Sequence, residues 1–277
     1  MNTKEKRMYL FHKQFNSKRI KLRPLGDIHY GSQQCNVPFF LEQVETIKKE
    51  NCYWVGMGDF MENAIVGSKS DVYKQIAPPE EQAKYIASVL DPIKHKGLFL
   101  IGGNHEKRTH RQSGMVPEDY ISAMLGRNPK TGDRWVPFVG YSCLAMFQLM
   151  LSKNPQSFKC YFHHNYGGGY TKGGKINRAE RLRDIVPTAD ATFSGHFHST
   201  ARTPSTWFDA GRKGIIQKVG YDYITGSALE YSNSYAEEKA KSPAVGEFIS
   251  VTLIGCTNGR RDNRQQIYEV ITKNGGK

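Results

Sequence analysis

IKLRPLGDIH, residues 20–29, decides the fold of this chain. A short run suited to a β-strand ends in glycine, and an aspartate and a histidine follow at once. The same design returns as YWVGMGDFME at 53–62 and as LFLIGGNHE at 98–106. Asn36–Glu50, between the first two, reads as a helix. Asn36 suits its cap, Pro38 its first turn, and Phe40, Val44 and Ile47 share one face. Pro79–His95, between the second and third, reads as a helix that is acidic at its start and basic at its end, as the helix dipole favours. Strands with a polar motif at each end, alternating with helices, predict an α/β protein.

The pattern continues outward. Pro117–Leu125 reads as a helix, Cys143–Leu151 and Phe158–Phe162 as strands, Asn177–Val186 as a capped helix and Ala189–Ser194 as a strand. From about Ile215 the chain turns strand-rich, through Phe248–Ile254 and Gln266–Ile271. Pro24 is awkward inside Ile20–Leu25 and predicts an edge position or an early end to pairing. With no repeat, low-complexity tract or clear linker, residues 1–277 read as one domain with a β-rich C-terminal part from about 215.

Composition narrows the class. Hydrophobic residues make up 38%, and no apolar run has membrane-spanning length. The basic start MNTKEKRMYLFHKQFNSKRIKLR lacks the apolar stretch of a signal peptide. A cytoplasmic protein with no membrane partner is therefore expected. Cys35, Cys52, Cys143, Cys160 and Cys256 are odd in number and scattered, which argues against a zinc ribbon or a disulfide framework. The net charge of +13 favours a polyanionic partner. Its bases gather beside the motifs: Lys13, Lys18, Arg19, Lys21 and Arg23 before the first, Lys107, Arg108 and Arg111 after the third. A further group, Lys172, Lys175, Arg178, Arg181 and Arg183, lies between the fourth and fifth.

Five motifs stand at predicted strand ends: Gly26-Asp27-Ile28-His29, Gly58-Asp59-Phe60-Met61-Glu62, Gly103-Asn104-His105-Glu106, His163-His164 and Gly195-His196-Phe197-His198. On an extended segment, residues two apart point the same way, so Asp27 with His29, and His196 with His198, can serve one ion. Mixed oxygen and imidazole donors suit manganese, iron or zinc better than magnesium or calcium. Each motif alone is weak, since a lone histidine is more often hydrogen-bonded than ligating. Their order carries the signal.

The set D-x-H, G-D-x-x-E, G-N-H-E, H, G-H-x-H resembles the calcineurin-like metallophosphoesterase superfamily, over Asp27 to His198. The resemblance implies a four-layer α/β/β/α sandwich of two mixed sheets flanked by helices. It implies two divalent ions, with Mn2+ favoured and Fe2+ or Zn2+ as alternatives. Carried over by motif, Asp27, His29 and His198 hold the first ion, Asn104, His163 and His196 the second, and Asp59 bridges them. His164 is the rival of His163, which the Gly-rich run after it favours. The implied chemistry is in-line attack on phosphorus by a hydroxide between ions about 4 Å apart. His105 resembles the general acid, and Glu62 or Glu106 would orient it.

The substrate is less determined. Protein Ser/Thr phosphatases carry arginines where this chain has Asn63 and Gly102, which argues against that class. GGGYTKGGKINRAERLR, residues 167–183, resembles segments of phage- or plasmid-type members, so the compartment would be a host cytoplasm if the chain is phage-encoded. Its glycines suit phosphate, and Lys175, Arg178 and Arg181 are candidate substrate contacts. Tyr161, Tyr166, Tyr170, Trp207 and Phe208 are candidates to stack on bases, or ordinary core. A phosphodiesterase or nuclease acting on nucleic acid, with DNA weighed slightly ahead of RNA, is the leading expectation. The alternatives are a small-substrate phosphomonoesterase or cyclic-nucleotide phosphodiesterase, and a non-catalytic nucleic-acid-binding protein on the same scaffold.

Overall fold

Asn36 caps the first helix as its sequence predicts. In the computed structural model, which describes residues 8–68, 70–150, 155–169, 171–211, 214–230, 244–256 and 264–273, helix α1 spans Val37–Lys49. The Asn36 carboxamide oxygen accepts from the Phe39 N–H at 3.0 Å. Phe40, Val44 and Ile47 are buried, each stabilising the fold by about 1.5–3 kcal/mol. Helix α2 (Pro79–Leu90) ends earlier than expected, and the chain to Lys96 tightens into a 3-10 turn. α3 (Glu106–Ser113) and α4 (Pro117–Met124) follow, then α5 (Lys172–Glu180) and the short α6 (Leu182–Ile185).

The strands are β1 (Tyr9–Phe15), β2 (Arg19–Leu25), β3 (Tyr53–Gly56), β4 (Gly97–Leu100), β5 (Ser142–Leu149), β6 (Gln156–His163) and β7 (Ala191–Ser194). The remainder are β8 (Thr200–Gly211), β9 (Gly214–Ser227), β10 (Glu247–Ile254) and β11 (Gln265–Thr272). The main path runs β1-β5-β6-β7-β9-β10-β2-β3-β4, with β8 hydrogen-bonded to β9 and β11 to β10. The α/β class is as expected. In place of two separate sheets the strands form one continuous mixed sheet, joined where Gly226 and Ser227 of β9 meet Phe248 and Glu247 of β10. The sheet curls until strands from opposite ends of the path touch. Phe11 of β1 lies 4.9 Å from Phe99 of β4, and Phe15 of β1 lies 4.8 Å from Tyr53 of β3.

This curl makes one core inside the sheet, from Leu22, Val55 and Phe99 on one side to Phe147, Phe162 and Phe193 on the other. A second core lies under α1, α2 and α4, around Phe40, Trp54, Ile86 and Ile121. On the other half, α5 covers β9 through Ala179 against Ile224, and α6 covers β6 through Leu182 against Tyr161.

Three readings are corrected. β2 is an interior strand and not an edge, while the expected early end to pairing holds: pairing with β10 stops at Leu22, so the missing N–H of Pro24 faces no β10 partner. The helix expected at Asn177–Val186 begins at Lys172, capped by Thr171 through its hydroxyl, and breaks at Arg181. β1, α3 and β8 were not anticipated, because α3 carries almost no apolar stripe and β1 and β8 alternate with charged or small residues. No helix among the described residues is long and apolar enough to cross a membrane.

Candidate metal centre

All five motifs follow the C-terminal ends of β2, β3, β4, β6 and β7. β2, β3 and β4 run parallel, as do β6 and β7, so each parallel set delivers its motifs to one end. The backbone there is strained. Asp27 (φ 50°), His29 (52°), Asp59 (49°), His196 (72°) and His198 (47°) all adopt the left-handed conformation, as do Asn63 (49°) and Asn165 (74°). Each costs roughly 1–2 kcal/mol for a residue with a side chain. Asp27 and His29 therefore converge through left-handed backbone, not through extended alternation as expected, and His196 and His198, also left-handed, part into two different groups. The loops also meet too closely for side chains. A Cβ on Gly58 would lie 2.5 Å from Gly103 N, and one on Gly103 would lie 2.1 Å from Asp59 Oδ1.

Each central carboxylate uses one oxygen to bind backbone and leaves the other bare. Asp27 Oδ2 accepts from His196 N at 2.8 Å, and Asp59 Oδ1 accepts from His105 N at 2.8 Å. Asp27 Oδ1 and Asp59 Oδ2 are buried without a hydrogen-bond partner. Around Asp27 Oδ1 lie His198 Nε2 at 3.3 Å and His29 Nε2 at 3.8 Å, and the two imidazole nitrogens are 3.2 Å apart. His29 Nδ1 faces Glu62 Oε2 at 3.2 Å and donates to it, so its Nε2 carries a lone pair. Around Asp59 Oδ2 lie His164 Nε2 at 3.1 Å and His29 Nε2 at 3.8 Å. His164 Nε2 is also 3.0 Å from Asn104 Oδ1. His164 Nδ1 donates to the Met57 carbonyl at 2.7 Å, which again turns a lone pair inward. His196 Nε2 donates to the Gly167 carbonyl at 3.0 Å, leaving Nδ1 buried and unpartnered within ligand reach of Asp59 and His164.

Lone pairs facing lone pairs at about 3 Å in a buried site need positive charge between them. The titration behaviour says the same. Burial alone would lower His29 and His164, yet the surrounding Asp27, Glu62 and Asp59 carboxylates raise His29 to about 10, and Asp59 and Asp27 raise His164 to about 10, so that without a metal ion the site would take its positive charge as protons. Burial lowers His105 and His196 to about 4. Carboxylate, amide and imidazole donors in two groups that share Asp59 fit a pair of divalent ions of the borderline type.

A family model described as calcineurin-like phosphoesterase matches residues 25–200, a span that contains every one of these donors. The chain belongs to that family. It is accordingly a metal-dependent hydrolase of phosphoesters. No curated protein matches its sequence.

In this calcineurin-like phosphoesterase the expectation of His163 is corrected. His163 lies one residue before His164 at the strand end and turns away from the cluster, where its Nδ1 accepts from Asn165 N at 2.6 Å. His105 Nδ1 donates to the Glu62 backbone carbonyl at 2.8 Å, while the Glu62 carboxylate is nearer His29 (3.2 Å) than His105 (3.6 Å). The carbonyl, not the carboxylate, orients His105. Glu106 does not orient it either. Its two oxygens accept from Asp59 N (3.1 Å) and Met61 N (3.0 Å), and Glu118 accepts from Gly103 N (2.9 Å). These two buried carboxylates fasten the floor of the site. Burial pushes both pKa values up, Glu118 to about 7.

Of the three candidate substrate cations, Arg178 comes closest to the centre. Its guanidinium packs on the Gly167 turn, 2.7 Å from where a Cβ there would lie, and the carbonyl of that turn holds His196. Lys175 is half-buried beside Gly169, and Arg181 is exposed at the break before α6. Among the candidate stacking rings Tyr161 is core, Trp207 is half-buried, and Tyr166 and Phe208 are exposed; Tyr170 lies outside the described residues. Sequence reasoning missed Glu118 and Ser227, and marked Arg108 only as one of the bases after the third motif. Arg108 Nη1 donates to Ser70 Oγ at 2.9 Å and reaches the Glu62 carbonyl at 3.3 Å. The Ser227 hydroxyl donates to the Asp27 carbonyl at 2.9 Å. Neither Glu118 nor Ser227 lies in a motif, and no local pattern marks them.

Proposed function

We propose that the protein is a two-metal phosphodiesterase that cleaves nucleic acid. On this reading Asp27 Oδ1, His29 Nε2 and His198 Nε2 hold one ion, Asn104 Oδ1, His164 Nε2 and His196 Nδ1 hold the other, and Asp59 Oδ2 is shared. Two such ions, Mn2+ the favoured pair, supply a nucleophile at neutral pH and neutralise charge on the phosphoryl oxygens. The side chains do the rest. His105, held by its Nδ1–H on the Glu62 carbonyl, presents Nε2 toward the centre and protonates the leaving oxygen. Burial lowers its pKa to about 4, and the charge of a bound phosphate raises it toward the working range. Glu62 polarises His29 through its carboxylate and holds His105 through its backbone.

The observation that favours a polyanionic substrate is cations on both flanks of the centre. Arg178 packs beside His196 on one side. On the other, Lys107, over the Tyr141 ring at 4.6 Å, and Arg108, on the Glu62 carbonyl, open α3 directly after His105. Such placement serves a strand with phosphates beyond the scissile one.

The test is manganese-dependent hydrolysis by the wild type and Asp59→Asn. The substrates are bis-p-nitrophenyl phosphate, p-nitrophenyl phosphate, and single- and double-stranded DNA and RNA. Cleavage of the diester and of nucleic acid, lost in the variant, is the expected result. Turnover of the monoester alone would replace the reading with a small-substrate phosphatase. Binding of nucleic acid without turnover under any metal would replace it with a binding scaffold.

A further inference from the structure

A cavity of about 550 Å³ lies at the other end of the strands that carry the metal centre. It is bordered by the start of β6, the segment before β7, the outer part of the β8–β9 hairpin and the start of β11. Lys159 on its wall and His164 in the centre are five residues apart along β6, about 17 Å of strand. The cavity is therefore separate from the catalytic donors.

Its walls combine three chemistries. The first is an excess of one cation, Lys159, Lys218 and Arg264 standing against Asp190 and Asp209. Arg264 is paired with Asp190 at 2.6 Å and Lys218 with Asp209, whereas Lys159 Nζ touches only the Thr188 hydroxyl at 3.3 Å and has no ion-pair partner among the described residues. The second is aromatic surface. Trp207 is half-buried, with the Arg183 guanidinium 5.4 Å from its ring, and Tyr221 carries Arg202 at 3.8 Å. The third is the carboxamides of Gln217 and Gln265, each both donor and acceptor.

Three arginines lie between the two places, of which Arg183 is ion-paired with buried Asp222 at 2.9 Å. Arg178 packs on the turn beside His196, Arg181 stands exposed at the break between α5 and α6, and Arg183 lies against Trp207.

We propose that this cavity is a second site that takes one nucleotide unit, its base against Trp207 and its phosphate on Lys159. One cation in excess matches one phosphate, the rings offer a stacking face, and the amides can meet a base edge of either polarity. The proposal rests on the nucleic-acid reading above and extends it: a strand cut at the metal centre runs past Arg178 and Arg181 and is anchored about 17 Å away.

The experiment uses the full chain. With EDTA present, adenosine monophosphate and a short single-stranded DNA oligomer are titrated against tryptophan emission in the wild type, Lys159→Ala and Trp207→Phe. With manganese, the same proteins are assayed on bis-p-nitrophenyl phosphate and on the oligomer. Both ligands should quench the wild type. The quench should vanish in Trp207→Phe, and Lys159→Ala should weaken binding and raise the oligomer KM by roughly tenfold, the scale of one stacked, charge-held base. Turnover of bis-p-nitrophenyl phosphate, too small to reach the cavity, should not change and shows that the variants are folded. Oligomer cleavage with the same KM in all three proteins would overturn the distal site and leave the nuclease reading standing. Lys159-dependent quenching by adenosine monophosphate, with no nucleic acid cleaved, would keep the site and remove the nuclease reading. No quenching by either ligand would overturn the site outright.

Discussion

The two donor groups of the centre share Asp59 but are backed differently. In the group of Asp27, His29 and His198, the outer nitrogen of His29 rests on a carboxylate, Glu62, whose side chain is 17% exposed. In the group of Asn104, His164 and His196, the outer nitrogens rest on the neutral carbonyls of Met57 and Gly167. A carboxylate behind an imidazole raises its basicity more than a carbonyl does. The first group also holds a carboxylate of its own, Asp27, where the second offers the amide of Asn104. The first group should therefore bind its ion more tightly, and the second ion should be the one that leaves as metal is withdrawn.

The largest effect falls on what the groups share. Asp59→Asn replaces the carboxylate common to both groups by a neutral amide and should lower diesterase turnover by at least about a thousandfold, with two-ion binding weakened in a metal titration. Two clearly separated binding steps persisting unweakened in that variant would break the shared-donor arrangement. Next comes the fourth motif. His164→Ala should cost on the order of a hundredfold or more in activity and empty the weaker step, while His163→Ala should stay within a few fold of wild type. Equal losses would show that the strand end presents both histidines.

That second pair also marks the limit of the sequence. The order of the motifs, the meeting of Asp27 with His29 and His198 and of Asp59 with His196, and the capped helix after Asn36 were legible, because each follows from residue chemistry or local spacing. The choice between His163 and His164 was not. Neighbours at a strand end face opposite ways, and which one looks inward depends on the pairing of His163 with Ser194 of β7, a non-local register. The left-handed turns at Asp27, His29, Asp59, His196 and His198 were hidden for a related reason. The glycines nearby suggested bends, but the strain falls on the donors themselves and is held by long-range bonds such as His196 N to Asp27. The continuity of the sheet rests on two residue pairs between β9 and β10, separated by a long connection, and no periodicity announces them.

Glu62→Gln sharpens the comparison at a smaller scale. The amide keeps an acceptor for His29 Nδ1 but removes the charge, and the backbone carbonyl that holds His105 is untouched. The tighter of the two metal steps should weaken by about 10–100-fold, with the other unchanged, so the two affinities should approach each other in calorimetry. Loss confined to the weaker step would mean that Glu62 does not serve His29 as its position indicates.

Behind the second group stands a carboxylate of another kind. Glu118 is buried, and it accepts from the N–H of Gly103, the residue before Asn104. Burial raises its pKa from 4.5 to about 7, so the folded protein holds a proton that the unfolded chain releases at lower pH. The sign follows. This contribution to stability is fully present below about pH 4.5 and is lost as pH rises through about 7. Its full size is on the order of 1–3 kcal/mol. Glu118→Gln keeps the acceptor for Gly103 and cannot ionise. Its unfolding free energy in urea should therefore fall less than that of the wild type between pH 5 and pH 8, with the weaker metal step nearly unchanged. An unaltered pH slope would place the ionisation elsewhere, with Glu106 the next group to replace. A large loss of metal affinity at constant slope would mean that the charge of Glu118, and not its hold on Gly103, supports Asn104.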